Sequence, residues 1–362
     1  MTGHAPFPGS YRAGDVDFLL RRLQQDFVDV AEKDALIQSG QRHYSQMLSP
    51  ESAPSARYMR LFDAACAANN LRMAQDCLRL ADLIAGRRAQ QVTIVSLARA
   101  GTPVGVVVAR LLRERFGRDA VHYCVSIVRD RGIDTAALRH ILAQGHAPES
   151  IVFVDGWTGK GVIARELAGS VDAFNVRQGV AIDTGLYVLS DLAGAAACAA
   201  SCDDYLIPSS ILNATVSGLV SRTVMPDDLG TDDFHGCVFY ADFAGIDRSQ
   251  AFADDLTALA LAAAVAEAPA VDAHGARERS QAYLGAAMRR YGVADVNLVK
   301  PGIGEATRVL LRRVPRLLVL RDADAPDVAH LAALAEEKQV PVEIDPSLPY
   351  HAVSLIRSAS DG

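Results

Sequence analysis

The stretch IVFVDGWTGKGVI, residues 151–163, decides the fold. Its opening run is apolar without a break, the pattern of a strand covered on both faces. Such strands belong to parallel sheets joined by crossover helices. Asp155 closes the strand, and Gly156, Gly159 and Gly161 bracket Thr158 and Lys160 where a helix is expected from about residue 160. In an open α/β sheet, ligands collect at the carboxyl ends of the strands. A carboxylate there can hold ribose hydroxyls or a Mg²⁺-bound water, and the turn after it offers N–H groups, a hydroxyl and an ammonium to a phosphate. The GxxxxGK[ST] spacing of a Walker loop is absent. A bare glycine turn is the plainer alternative, and the company of Asp155, Thr158 and Lys160 weighs against it.

Outward from this loop the same pattern repeats. VTIVSL (92–97), VHYCVSIV (121–128) and SIVFVD (150–155) read as strands, followed by helices over 103–116, 135–144 and 160–170. A second glycine loop, SLARAGTPVG (96–105), places Arg99, Ala100, Gly101 and Thr102 between a strand and a helix opened by Pro103. Exposed N–H groups, a helix dipole and a guanidinium there suit a diphosphate, although an ordinary strand-to-helix turn has the same outline. Between the loops, SIVRDRGID (126–134) carries Arg129 and Arg131, either on a flexible hood over the ligand or on a solvated loop.

Helices are also expected over 15–37 and 57–84, strands over 186–189, 205–207 and 237–243, and a helix over 248–267. In 203–224, Ser209, Asn213, Ser217 and Arg222 recur every four or five residues, so a helix would gather several on one side. They either read an acceptor or serve capping and helix–helix contacts. RHYSQMLSPE (42–51) is equally polar and has no assigned role. EAPAVDAHGARE (267–278) reads as a linker. Beyond it comes a second α/β pattern, with helices over 276–291, 303–313 and 326–338 and strands over 295–299, 316–320 and 340–344.

At 362 residues, 50% hydrophobic and 22% charged, the chain has the composition of two globular domains. A net charge of −7 argues against a broadly basic nucleic-acid clamp while allowing a local basic patch. No basic start followed by an apolar core marks a secretory signal, and Ala258–Ala266 is too short to span a membrane. Six cysteines without a CxxC pair fit a reduced, cytoplasmic protein. Cys198 and Cys202, a helical turn apart, lack further metal-ligand partners and read as small buried residues. His122 with Cys124, and His235 with Cys237, share a strand face, as a thiol–imidazole pair would require. Neither pair sits at a helix N-terminus that would lower a thiol pKa, so buried cysteine is the stronger reading.

The two glycine loops together resemble those of type I phosphoribosyltransferases: ARAGTPVG looks like the pyrophosphate loop, and VFVDGWTGKG like the motif for phosphoribosyl diphosphate. The resemblance implies that Arg99, Ala100, Gly101, Thr102, Arg129, Arg131 and Mg²⁺ hold the diphosphate and that Asp155, as catalytic and metal-binding acid, steadies the ribose. It also implies that Gly156, Trp157, Thr158, Gly159, Lys160 and Gly161 form the phosphate turn. The family's usual second acid is Gly156 here.

LVKPGIGEATRVLLRR (298–313), within 298–344, resembles the start of a Pelota-like RNA-binding domain. That likeness implies an RNA surface of Lys300, Gly302, Gly304, Glu305, Thr307 and Arg308, beside a basic cluster that also includes Arg312 and Arg313. The domain order resembles a family found with bacterial tellurium-resistance and stress-response systems, whose members also carry the label StiP cysteine protease. The expectation is therefore a phosphoribosyltransferase-like domain over 1–270 and a Pelota-like domain over 278–358. Phosphoribosyl diphosphate and Mg²⁺ would serve transfer to a base-like or RNA-linked acceptor. The alternatives are a non-catalytic, nucleotide-sensing RNA-binding protein and a cysteine protease. A homo-oligomer is left open.

Overall fold

The computed structural model describes residues 5–24, 26–88, 91–264 and 271–357. Two short strands, β1 (Asp17–Phe18) and β2 (Arg21–Arg22), precede α1 (Val30–Gln38) and the long α2 (Ala56–Ala85). Then come β3 (Gln91–Leu97), α3 (Gly101–Glu114), β4 (Asp119–Val125), and a hairpin of β5 (Ile127–Val128) with β6 (Gly132–Ile133). The chain continues through α4 (Thr135–Ala143), β7 (Ile151–Thr158), α5 (Val162–Gln178), β8 (Leu186–Asp191), β9 (Cys198–Ser201), β10 (Gly236–Cys237) and α6 (Ser249–Ala262). The C-terminal part comprises α7 (Ala273–Tyr291), β11 (Val299–Pro301), α8 (Ile303–Arg312), β12 (Pro315–Leu320), α9 (Ala329–Glu337), β13 (Val342–Ile344) and β14 (Ala352–Ile356).

The main sheet runs in the order β1-β4-β3-β7-β8-β9, and every pairing in it is parallel. Its central strands are buried on both faces because their side chains alternate between two cores. Val92, Ile94, Val152 and Val154 join the core that includes residues of α2, α3 and α6, whereas Val95, Leu97, Ile151 and Phe153 join that of α4 and α5. From β3 the chain steps to β4 on one side and later returns to place β7 on the other. The carboxyl ends of β3 and β7 therefore flank the point where the winding reverses, which is where an open sheet leaves a crevice. The smaller sheet runs β11-β14-β12-β13, antiparallel except between β12 and β13, with α8 and α9 packed together beside it.

Several expected elements differ. The helix over 15–37 is largely absent: Phe18 is fully buried in a strand paired with Cys124, and only Val30–Gln38 is helical. Apolar spacing there fitted either element, and edge pairing to β4 decided it. The strand over 237–243 shrinks to Gly236–Cys237, Tyr205–Ile207 is not a strand, and Cys198 lies on a strand and not a helix. Of the expected linker, 267–270 falls outside the described residues, and α7 already begins at Ala273.

The helix expected in 203–224 is replaced by irregular buried backbone with two short 3₁₀ turns, Pro208–Ser210 and Ala214–Val216. Buried backbone outside regular structure needs partners from elsewhere. Tyr11 Oη donates to the Val216 carbonyl, the Ala214 N–H donates to Glu51 Oε2, and Arg99 Nη1 donates to the Val220 carbonyl.

Asp204, in the same segment, ties the two sheets together. Its carboxylate accepts the Ile303 N–H at 2.9 Å, at the start of α8, and the His351 N–H at 2.7 Å. Burial pushes its pKa up to about 6 despite those donors. Asp204→Ala leaves two buried donors unsatisfied and should cost about 2–5 kcal/mol, measured as a fall in unfolding free energy in urea.

Candidate functional site

The crevice at the reversal point is closed from above by α8 of the C-terminal part, and the seam holds three cavities. One, of about 200 Å³, lies over the ends of β3 and β7 and is lined by Arg99, Asp155, Trp157, Asn213, Arg308 and Arg312 among others. A second, of about 340 Å³, lies between the loop before α2 and the helices α8 and α9; a third, of about 180 Å³, lies between α1 and α8. Arg222 and Arg312 line all three, so the cavities surround one pair of guanidinium groups.

The structure gathers only part of the residue set expected from sequence. Ala100, Asp155, Trp157, Ser209, Asn213, Ser217 and Arg222 share the 200 Å³ cavity with Arg99. Gly101 allows the two loops to meet, since a Cβ there would sit 2.5 Å from the Val154 carbonyl oxygen. Thr102 does not face the cavity: its hydroxyl lies 3.2 Å from Cys124 Sγ. Arg99 is paired with Glu51 at 2.5 Å. Arg129 and Arg131 stand apart on the β5–β6 hairpin, where the Arg129 guanidinium lies over Tyr44 and bonds Asp130.

The DGWTGKG segment also departs from expectation. β7 runs on through Gly156 to Thr158, because Trp157 and Thr158 still pair with Ser190 and Asp191, and α5 begins only at Val162. Thr158 Oγ1 accepts the N–H of Gly161, whose positive φ of 68° caps that helix. Lys160 donates to the Val296 carbonyl at 2.7 Å, in the C-terminal part of the chain. A Cβ on Gly159 would lie 3.0 Å from the Pro301 carbonyl oxygen, so this turn is filled by protein.

The turn expected to face RNA is likewise turned inward. A Cβ on Gly302 would strike Leu192 and one on Gly304 would strike Trp157; Thr307 is buried and bonded to His330. Of the six residues, Lys300, Glu305 and Arg308 face the seam. Lys33, Glu51 and Asp204 escaped the sequence reading. The one available signal was the unassigned polarity of 42–51, which contains Glu51.

Charge at the seam is lopsided. Burial opposes ionisation of Glu305, yet Arg308, Lys300 and Lys160 hold its pKa down to about 2. Burial and neighbouring cations push Lys160 down to about 7 and Lys33 to about 8, and burial brings Arg222 to about 10. Burial lowers Arg312 well below its ordinary value, with Arg99 adding repulsion. Asp155 shifts the other way: burial raises it to about 6, with Arg308 and the Gly156 N–H pulling back. The site therefore favours a group bringing negative charge. Asp155 is the one carboxylate that lines this cavity, and among the described residues no group of three or more possible metal ligands occurs.

Beneath the first loop lies a second polar group. His122 Nδ1 is 2.9 Å from the Asp15 carbonyl oxygen and Nε2 is 2.7 Å from Ser96 Oγ, on the strand beside Cys124. Cys124 is fully buried, and burial pushes its thiol up to about 12; the same cause lowers His122 to about 4. Burial raises the Cys237 thiol as well, and His235 bonds Ser126 at 2.7 Å. Neither pair holds a thiolate in this arrangement.

An α/β domain whose main sheet is all parallel, with a basic crevice covered by a small α/β domain, defines the class. Residues 9–257 match the family described as tellurite-like stress resistance cysteine protease StiP, and residues 278–358 match the PELOTA RNA binding domain. Over 374 aligned positions, covering 98% of this chain and 96% of the relative, the chain is 42% identical to "Cysteine protease StiP" of Acinetobacter baylyi. No solved structure matches. The chain belongs to the StiP family.

This overturns the phosphoribosyl-transfer reading, because the family covering the crevice domain is described as a cysteine protease and not as a phosphoribosyltransferase. Among the described residues no helix is long and apolar enough to cross a membrane.

Trp157, the single tryptophan, reports on the seam. Its ring lies under Arg308 at 4.3 Å, and a Cβ on Gly304 would approach its Cε2 to 2.4 Å. Gly304→Ala should therefore cost about 1–3 kcal/mol through overpacking, with red-shifted Trp157 emission and stronger acrylamide quenching as the seam parts.

Proposed function

We propose that the seam binds a phosphate-bearing nucleotide and that the chain serves stress resistance as a nucleotide-responsive, RNA-binding protein. The observation carrying this is the convergence of Arg99, Arg222, Arg308 and Arg312 on one cavity whose own carboxylate is Asp155. Arg99 and Arg308 already pair with Glu51 and Glu305, so Arg222 and Arg312 are the two whose charge a phosphate would balance, offering paired acceptors. On this reading the anion is held by guanidinium groups over the ends of β3 and β7 and not by the glycine turn at 156–161, which the C-terminal part of the chain fills. The C-terminal domain, set off near residues 270–278, brings the RNA function of its family to the same seam. Asp155 acts as a gate on charge, and Trp157 with Arg308 forms a wall against which a base or sugar can pack.

Quenching of Trp157 by ADP, with inorganic triphosphate as a second ligand, tests this directly. Saturable binding is expected, weakened by roughly tenfold or more in Arg308→Ala, which removes a charged donor. Absence of binding at millimolar ligand overturns it.

Asp155 adds a pH signature. Its carboxyl is neutral below about 6 and charged above. A phosphodiester ligand, whose own charge is constant over this range, should therefore bind less tightly as pH rises from 5 to 6.5. One added charge a few ångströms away is worth about 1–2 kcal/mol at a high effective dielectric. The Asp155→Asn protein should lose that slope.

A second reading, thiol-dependent peptide hydrolysis, is favoured by the name of the Acinetobacter baylyi relative and by the position of Cys124. The thiol lies directly beneath Thr102, at the start of α3 and next to the Ala98–Ala100 loop that lines the cavity, and Ser96 bonds His122 on the neighbouring strand. For Cys124 to act as nucleophile the 98–102 loop has to lift, which would expose the thiol and lower its pKa. Casein hydrolysis abolished by iodoacetamide and by Cys124→Ala would establish this reading. Activity retained by Cys124→Ala, or none in the native protein, would reject it.

A further inference from the structure

Three aromatic rings outside the crevice lie in a row. Phe27 and Tyr240 are stacked with centroids 6.5 Å apart and planes 10° apart; Tyr240 and Phe243 are stacked at 5.2 Å and 13°. Phe27 is 46% exposed, unusual for a phenylalanine with a core nearby to join. Phe243, at the other end of the row, forms part of the wall of the 340 Å³ cavity. That cavity presents Lys33, Arg222, Arg312 and Lys338 against Glu51 and Glu337, and Glu51 is already held by Arg99. The first three cations also line the 180 Å³ cavity, beside Lys300, Arg308 and Arg313. The rings thus stand at the entrance of a basic path that continues into the seam.

Parallel rings that lead into a basic channel match the physics of single-strand recognition. Bases stack on the rings whatever their identity, while cations follow the phosphates. A duplex hides its base faces, and a cavity of about 340 Å³ has room for a group of nucleotide size only. We propose that Phe27 and Phe243, the two ends of the row held together by Tyr240, offer stacking faces to an unpaired RNA segment, whose phosphates run past Lys33, Arg222 and Arg312 into the seam. This assigns the RNA contact partly to the first domain, on residues outside the inward-facing Gly302–Gly304 turn. It rests on the reading of the seam as a phosphate site.

The test is fluorescence anisotropy of the full chain with a fluorescein-labelled ten-nucleotide oligouridylate, compared with a ten-base-pair RNA duplex. The strand should bind more tightly than the duplex. Phe27→Ala and Phe243→Ala should each weaken strand binding about tenfold, the usual scale for losing one stacked base. Phe27→Tyr, which keeps the ring, should restore it. Raising salt should lower log affinity with a slope near −2 for the three shared cations, at about −0.7 per neutralised phosphate.

Unchanged Trp157 emission in the variants shows that they fold. Equal or tighter duplex binding overturns the proposal, and so do alanine variants that bind the strand like the parent. If ADP still quenches Trp157 while the strand fails to bind, the platform falls and the nucleotide site stands. If the strand binds through the rings while ADP does not, the mononucleotide reading falls and the platform stands.

Discussion

Glu305 is the group on which the seam depends. It is a half-buried carboxylate with Arg308 at 2.6 Å, drawn down further by Lys300 and Lys160 from the two sides of the interface. Without it, the cations of α8 and the DGWTGKG turn would face one another in a poorly solvated space, where like charges repel strongly. With it, the two domains close, but the charge does not balance. Arg222 and Arg312 remain to be stabilised by backbone carbonyls, by Asn213 and by the distant Glu51. An interface built this way holds together while keeping a demand for an anion.

The closure also explains which sequence signals were readable. The strands expected at 92–97, 121–128 and 150–155 were legible in place because their apolar, β-rich runs fix the element locally, although the second ends at Val125 and the third runs on to Thr158. The crevice followed from the same run, since parallel strands with helical crossovers place their ligand loops at one edge. Residues 15–37 misled because Phe18, Leu19 and Leu23 suit a helix face as well as an extended strand, and pairing to β4 is a long-range choice. The segment 203–224 misled for a related reason. Its irregular backbone is sustained by Tyr11, Glu51 and Arg99, far away in sequence, so nothing local announces it.

The site was legible in its location and less so in its chemistry. A glycine-bracketed Thr and Lys after a strand reads as a phosphate turn when the turn is open. Here Lys160 and Gly159 meet the C-terminal part of the chain, and Thr158 holds its own turn. The anion-binding capacity passes instead to Arg222, Arg308 and Arg312, which come from three separated stretches and show no shared motif. The expected second acid next to Asp155 is a glycine, and the structure gives a reason to have one there. Arg99 already has its carboxylate in Glu51, and another buried acid beside Asp155 would be driven to remain protonated by its neighbour.

The two readings of function make opposite demands on one short loop. Ala98, Arg99 and Ala100 line the cavity, and Thr102, two residues further on, covers Cys124. A ligand gripped by Arg99 and Arg308 would stiffen that loop and keep the thiol buried and protonated; a mobile loop would free the thiol and dismantle the cavity. Phosphate binding and thiol chemistry at this place would therefore exclude one another. By linkage, a ligand that favours one state must oppose the other by the difference in its affinity for the two. The closed seam, with Arg99 locked to Glu51 and Cys124 beneath Thr102, is the state in which the anion site is complete.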